Sequence, residues 1–218
     1  MERIAIYGAG ALARQMIKYN ERYHLYEIVA LIDDHMENKT QWGIPVLRYD
    51  LFRQDFSGKS MPQVIVSIGY AGCNVAREQV CTKLMEDGLR LGNFISPGSN
   101  CWPGTIQGKN ILVFDNAFIG VDCKICDGVI ISEGCVFSHG VGVDGYVFFS
   151  DGVVVGGNAK VGNNSFIGLN ATIKSSVHIG SYNIVGAAAN VLHNTDESMI
   201  TKGNPGRSIN CDTLKIRI

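Results

Sequence analysis

The sequence predicts a small parallel α/β domain followed by a parallel β-helix, and three observations carry that reading. A large apolar residue recurs at every sixth position from Val113 to Val191 without a slip of register. Residues 3–10, RIAIYGAG, form an apolar strand that runs directly into a glycine turn. Glycine makes up 26 of 218 residues, and fifteen of those fall in 110–218; the usual share is ~7%.

The repeat comes first because it decides the architecture. Val113, Ile119, Ile125, Ile131, Phe137, Val143, Phe149, Val155, Val161, Ile167, Ile173, Ile179, Val185 and Val191 mark fourteen hexads. Two places before each stands a smaller or branched residue, such as Ala117, Cys123, Val129 or Ala159. A period of six is neither the 3.6 of a helix nor the plain alternation of a strand. Short strands joined by tight turns, three to a coil, satisfy it, and each hexad then stacks on the one three hexads later. Pleating points positions i and i−2 inward. The small residue at i+1, often glycine as at Gly120, Gly156, Gly162, Gly168, Gly180 and Gly186, suits either a positive φ or a crowded backbone. Fourteen repeats make between four and five coils, about 22 Å of prism at ~4.8 Å per coil.

The first hundred residues have a different grammar. The strand at 3–10 leads into ALARQMIKYN, whose Leu12, Met16 and Ile17 share a helical face. EIVALIDD (27–34) is a second strand ending in two acids, and QVIVSIGY (63–70) a third. A helix from about Ala71 to Asp87 follows, stopping at Gly88. Gly8-Ala9-Gly10-Ala11-Leu12-Ala13 matches G-x-G-x-x-A between strand and helix, with Asp33 and Asp34 beyond it. Such a turn lets a pyrophosphate approach the backbone and the helix N-terminus. About 95 residues cannot build both halves of a dinucleotide fold. Half a Rossmann fold suits one nucleotide diphosphate, with Gly8, Gly10 and Ala11 at the phosphates and Asp33 or Asp34 accepting from ribose or base. The Ile68-Gly69 turn should line the same crevice. The proline- and glycine-bearing stretch 89–110 joins the halves, giving domains at 1–95 and 96–218.

Composition removes several function classes. Nineteen Lys and Arg oppose twenty Asp and Glu, net charge −1, so no basic excess is present for nucleic acid or an anionic membrane. No apolar run approaches a membrane span, and MERIAIYGAG carries charges where a leader needs its apolar stretch. Seven irregularly spaced cysteines fit a reducing compartment. A cytoplasmic protein is expected.

Five histidines exhaust the side chains that titrate near neutrality. His24 and His35 lie in charged stretches, His178 precedes an inward isoleucine, and His193 sits in the polar HNTDES segment. His139, two residues beyond Phe137, falls at a coil corner facing away from the core. There it is able to meet a neighbouring protomer and serve as general base toward an attacking amine or hydroxyl. Cys123-x-x-Cys126 lacks a second pair at metal spacing, and no close histidine pair supports a metalloenzyme of β-helix type. No metal is expected.

With these motifs in place the chain resembles the hexapeptide-repeat acyltransferases, in particular the sugar-nucleotide N-acetyltransferases of the bacillosamine-pathway type and their sialic-acid O-acetyltransferase-like relatives. The resemblance covers essentially the whole chain. It implies a left-handed β-helix, a homotrimer, and acetyl-CoA as acyl donor. It also implies a nucleotide-linked amino sugar held by Gly8, Gly10, Asp33 and Asp34, with His139 as catalytic base. By the same resemblance Gly157, Leu169 and Ala187 touch the CoA, as do Lys202, Asn204 and Pro205 in the tail KGNPGR. The chain departs from the family at Gly140, where an acid usually follows the histidine, at Phe148, and at Gly206. O-acetylation of a sugar hydroxyl is one alternative, and a non-catalytic nucleotide-sugar-binding or scaffold protein is the other.

Overall fold

The computed structural model describes residues 1–36, 39–58 and 61–203. Strand β1 (Glu2–Tyr7), helix α1 (Ala11–Tyr23) and strand β2 (Tyr26–Ile32) open the chain. A short antiparallel pair follows, β3 (Lys39–Gln41) and β4 (Ile44–Leu47), then α2 (Tyr49–Asp55). Strand β5 (Gln63–Val66) and helix α3 (Val75–Glu86) complete the domain. The sheet order is β3-β4-β2-β1-β5, parallel except at the β3–β4 edge. The hairpin and α2 break no apolar period, so the sequence pattern passes over them; Trp42 and Gly43 both take positive φ in its turn, as a two-residue hairpin loop of the primed type requires. Helix α3 starts four residues later than the pattern suggests, because Gly72, Cys73 and Asn74 all have positive φ.

One face of this sheet packs Ile4, Ile6, Leu31 and Ile65 against α1 and against Phe94, Leu112, Phe114 and Ile130 of the second half. The other face packs Ala5, Ala30, Ile32, Val64 and Val66 against α2 and α3. The repeat domain therefore takes the place that further helices occupy in a doubly wound fold.

From Phe94 onward the chain winds a left-handed parallel β-helix of two-residue strands in three sheets. Residues eighteen apart pair in register, as Ile131 with Phe149 and Phe137 with Val155. All fourteen hexad positions and the positions two before them are buried. Pairing already begins in the junction, at Phe94 with Leu112, and one sheet reaches seven strands. The prism is consequently taller than the apolar hexads alone indicate, about 29 Å.

The two roles open at the i+1 glycines resolve in favour of crowding. None of Gly120, Gly156, Gly162, Gly168, Gly180 or Gly186 has positive φ. A Cβ on Gly162 would stand 2.7 Å from the Ser181 nitrogen one coil away. The left-handed residues fall instead at i+3, where Asn110, Asn116, Asp122, Gly128, Gly134, Gly140, Asn158, Asn164 and Asn170 all have positive φ. Asn, Asp and Gly are the residues that enter this region most readily.

Candidate active site

Three edges run along the prism. The first carries Asp115, Glu133, Asp151, Leu169 and Ala187, stacked by bonds such as Gly152 N–H to Glu133 O and Ala188 N–H to Leu169 O. The second carries Val121, His139, Gly157 and Ser175, through Asn158 N–H to His139 O and Ser176 N–H to Gly157 O. The third carries Gly128, Tyr146 and Asn164 beside Asp127, Gly145 and Asn163. The N-terminal domain covers the face between third and first edges, laying α1 along the first and the start of α3 along the third.

The glycine turn is built as the motif demands. Gly8 has φ +103, its N–H donates to Ile32 O, and a Cβ there would stand 2.9 Å from Ser67 Oγ. Gly10 has open space above it and precedes α1 with no side-chain cap, and α1 has no acid in its first turn. The N–H groups of Gly10 and Ala11 donate to no group among the described residues and both residues are exposed, an arrangement that favours an anion. Gln41 of β3 donates to Ala9 O, and its buried Oε1 has no partner among the described residues.

The two acids after β2 differ. Asp33 Oδ1 accepts from the His35 N–H, in a local turn. Asp34 accepts from the Tyr49 N–H at 2.8 Å and the Tyr7 hydroxyl at 2.9 Å, joining β1, β2 and α2. Burial would raise the Asp34 carboxyl, but these two donors together with the Lys83 and Arg48 charges outweigh it and hold it below its ordinary value. Ile68 and Gly69 continue β5 at the same end of the sheet, half-buried, and their carbonyls accept from Arg77.

A cavity of about 780 Å³ opens between α1 and the first edge, lined by Leu12, Gln15, Tyr70, Ser132, Glu133, Phe148, Ser150, Asp151, Phe166, Gly168, Leu169 and Ala187. Two of the expected acyl-donor contacts, Leu169 and Ala187, thus share one space with the helix that begins at the glycine turn. Tyr70 packs on Phe148 and Phe166 at 5.1 and 4.8 Å between ring centroids. Glu133 accepts from Gln15 Nε2 and the Tyr19 hydroxyl, both at 2.7 Å. Burial, the Glu133 charge and a hydrogen bond to it raise the Asp151 carboxyl. Neither this acid ladder nor Gln41 and Tyr70 was singled out from the sequence; the eighteen-residue spacing of Asp115, Glu133 and Asp151 was the available signal for the ladder.

His139 is exposed on the second edge, away from that cavity. Its ring lies over the backbone of Gly157, one coil on: a Cβ there would stand 2.7 Å from Cε1 and 2.9 Å from Nε2. Only glycine leaves room for the imidazole in this pose. The Gly157 N–H donates to no group among the described residues. No carboxylate hydrogen-bonds the ring among the described residues: Asp151 is with Glu133 on another edge, and Asp144 lies near Cys126. Lys202 is exposed at the top of the prism, beside Gly203, which packs on Ala187. Asn204, Pro205, Gly206 and Arg207 lie outside the described residues.

A model of the PglD N-terminal domain matches residues 3–84. The whole chain resembles the acetyltransferase domain of PglB from Neisseria gonorrhoeae FA1090, at 26% identity over 96% of this chain and 100% of that one, with a TM-score of 0.84. PerB from Caulobacter crescentus, solved with CoA and GDP-perosamine, matches at 25% identity over 93% of this chain and 95% of its own, TM-score 0.82. The PglB domain in complex with acetyl coenzyme A aligns at 24% identity over 95% and 99%, TM-score 0.77, a likeness of fold. A search of curated proteins returns no match. Among the described residues, no helix is long and apolar enough to cross a membrane.

Proposed function

We propose that the protein transfers an acetyl group from acetyl-CoA to the amino group of a nucleotide-linked amino sugar, and that it works as a homotrimer. The observation that carries this reading is the cavity, which leads from the helix of the glycine turn to Leu169 and Ala187 on the first edge. A sugar tethered by its diphosphate at Gly8, Gly10 and Ala11 reaches that edge, its nucleoside on the side of Asp33 and Asp34. Its sugar passes the Ile68–Gly69 turn and Tyr70. The likeness to PglB and to PerB, solved with CoA and GDP-perosamine, supports the chemistry.

His139 stands on a different edge, so within one copy the base and the cavity do not meet. Between those two edges the prism presents Phe118, Val136 and Val154 outward, 37–40% exposed and uncharged, whereas the next face presents Lys124, Lys160 and His178. A second copy seated on the apolar stripe brings His139 of the partner subunit to the mouth of the cavity.

Acetyl-CoA supplies an acyl carbon activated by a thiolate leaving group. Gly157, Leu169, Ala187 and Lys202 suit its arm, being small, apolar or cationic; Asn204 and Pro205, assigned to the same ligand by the family resemblance, lie outside the described residues. His139 takes the proton from the amine as nitrogen bonds to the acyl carbon, and returns it to the departing sulfur. The Gly157 N–H, unpaired and beside the ring, donates to the oxygen that gains charge, a contribution of about 3 kcal/mol in comparable sites. The absence of a carboxylate partner for the ring among the described residues favours an amine over a hydroxyl, which needs a stronger base.

The decisive experiment measures CoA release over a panel of nucleotide amino sugars that includes GDP-perosamine. His139→Ala should lower kcat by about 10²–10⁴-fold while thermal stabilisation by acetyl-CoA and by a nucleoside diphosphate persists. Stabilisation by nucleotide alone would leave a binding module, and turnover only with hydroxyl acceptors would make the protein an O-acetyltransferase.

A further inference from the structure

A fully buried guanidinium joins the two domains. Arg77, in the first turn of α3, is 0% exposed. Its Nη1 donates to Ile68 O and Gly69 O at 3.1 and 2.6 Å, on the turn that lines the nucleotide crevice. Its Nε and Nη2 donate to Gly128 O and Tyr146 O, both at 2.9 Å, on the prism. All four acceptors are main-chain carbonyls. Gly128 and Tyr146 occupy the same place on consecutive levels of the third edge. The next level's Asn164 and Ser165 carbonyls accept from Asn74 Nδ2 at 3.0 and 3.1 Å. Two side chains of one short segment therefore read three successive coils.

This is an expensive way to fill space. A buried cation without an anion loses its hydration, and an apolar side chain of similar volume is commonly as stable or more so. Burial lowers the guanidinium to about 10, which leaves it charged at neutral pH. What the fork adds is direction, since it fits only where two carbonyls of the turn and two of the prism converge. The level is marked as well: the Tyr146 ring lies over Gly128, where any Cβ would collide with it.

Axial level matters because the two proposed ligands belong to different domains. Transfer needs the attacking nitrogen within ~3–3.5 Å of the acyl carbon, and one coil is ~4.8 Å. We propose that Arg77 is a positioning residue, which by gripping the Ile68–Gly69 turn and the Gly128 and Tyr146 carbonyls sets the level at which the nucleotide-bound sugar meets the acyl group. This role rests on the acetyltransferase reading.

The test uses the full chain with Arg77→Met, Arg77→Lys and Asn74→Gly, the last keeping the positive φ of 64° while removing the amide. Nucleoside diphosphate and CoA affinities are measured separately by titration calorimetry, and kcat by CoA release with whichever nucleotide amino sugar the wild type accepts. For Arg77→Met each ligand should bind nearly as in wild type while kcat falls by about 10²-fold. Arg77→Lys should recover part of that loss, and Asn74→Gly should lose less than either. A merely structural arginine would lower stability and ligand affinity together and leave kcat of the bound enzyme intact; that result, in any folded variant, overturns the proposal. If Arg77→Met fails to fold, Arg77→Lys and Asn74→Gly carry the same comparison. A wild type that releases no CoA with any acceptor overturns the acetyltransferase reading itself, and the positioning role with it.

Discussion

The two halves of the molecule are held by different rules. In the prism each inward side chain meets the residue eighteen positions away, so one spacing fixes Val113 through Val191. In the N-terminal domain partners lie at irregular distances: Tyr7 with Asp34, Tyr49 with Asp87, Tyr26 with Asn93. A repetitive domain depends on its nearest coils, whereas the sheet domain depends on many unrelated contacts closing at once. The difference teaches that the prism is a ruler and the N-terminal domain a tool clamped to it. The clamp is the part whose place no single rule dictates.

The largest expected effect sharpens this contrast. Phe52→Ala removes a fully buried ring between α2 and the sheet and should cost about 3–5 kcal/mol. Thermal shift should lose its response to nucleoside diphosphate but keep that to acetyl-CoA, since the prism core is elsewhere. Equal loss of both responses would mean that the halves fold as one unit, and the comparison would fail.

Next in size is Gly157→Ala. Its φ is not positive, so the backbone tolerates the change, but the added methyl displaces the His139 ring. We expect a kcat at least about tenfold lower, roughly 1.4 kcal/mol of barrier, with an unchanged melting temperature. A variant of full activity would remove His139 from the reaction.

Tyr19→Phe probes the seam along α1, where the hydroxyl meets Glu133 at 2.7 Å. Burial, with that bond next, holds the phenol well above its ordinary range, so it stays protonated and donates. Chemical denaturation should show about 1 kcal/mol lost and no change in acetyl-CoA affinity. A fall in that affinity would tie the seam to the donor site.

The smallest effect is the pH response of Asp151. Its carboxyl is raised in the folded chain by burial and by Glu133, so the folded state binds its proton more tightly than the unfolded state. Stability contributed by that proton is present below the unfolded value of ~3.9 and disappears as pH rises through the folded value. Asp151→Asn should therefore be slightly more stable than wild type at pH 7, and the gain should vanish below about pH 4. Melting curves across that range that show the same offset at every pH would contradict the raised Asp151 carboxyl.

Much of the molecule was legible in advance, and the reasons are specific. The hexad register survived intact because burial at Ile131 or Phe149 is decided by neighbours that obey the same period. The glycine turn was legible because Gly8 must take a positive φ beside Ser67. The left-handed corners could also have been read, from Asn, Asp and Gly at i+3. The β3–β4 hairpin and α2 were not, for segments of 3–7 residues carry too few periods to stand out. His139 could be placed on an outward corner, but not over Gly157, since that meeting depends on which residue lies one coil above.

By itself the sequence determined the coil, its register and the phosphate-type turn, because each follows from local conformational preference or a fixed repeat. Only the tertiary structure decided what those parts face. It separated His139 from the cavity by one face of the prism and set Leu169 and Ala187 opposite α1. It also locked the Ile68–Gly69 turn to Gly128 and Tyr146 through a buried arginine. These are contacts between segments tens of residues apart with no shared period. They arise where the surfaces of the two halves meet, and no spacing along the chain encodes them.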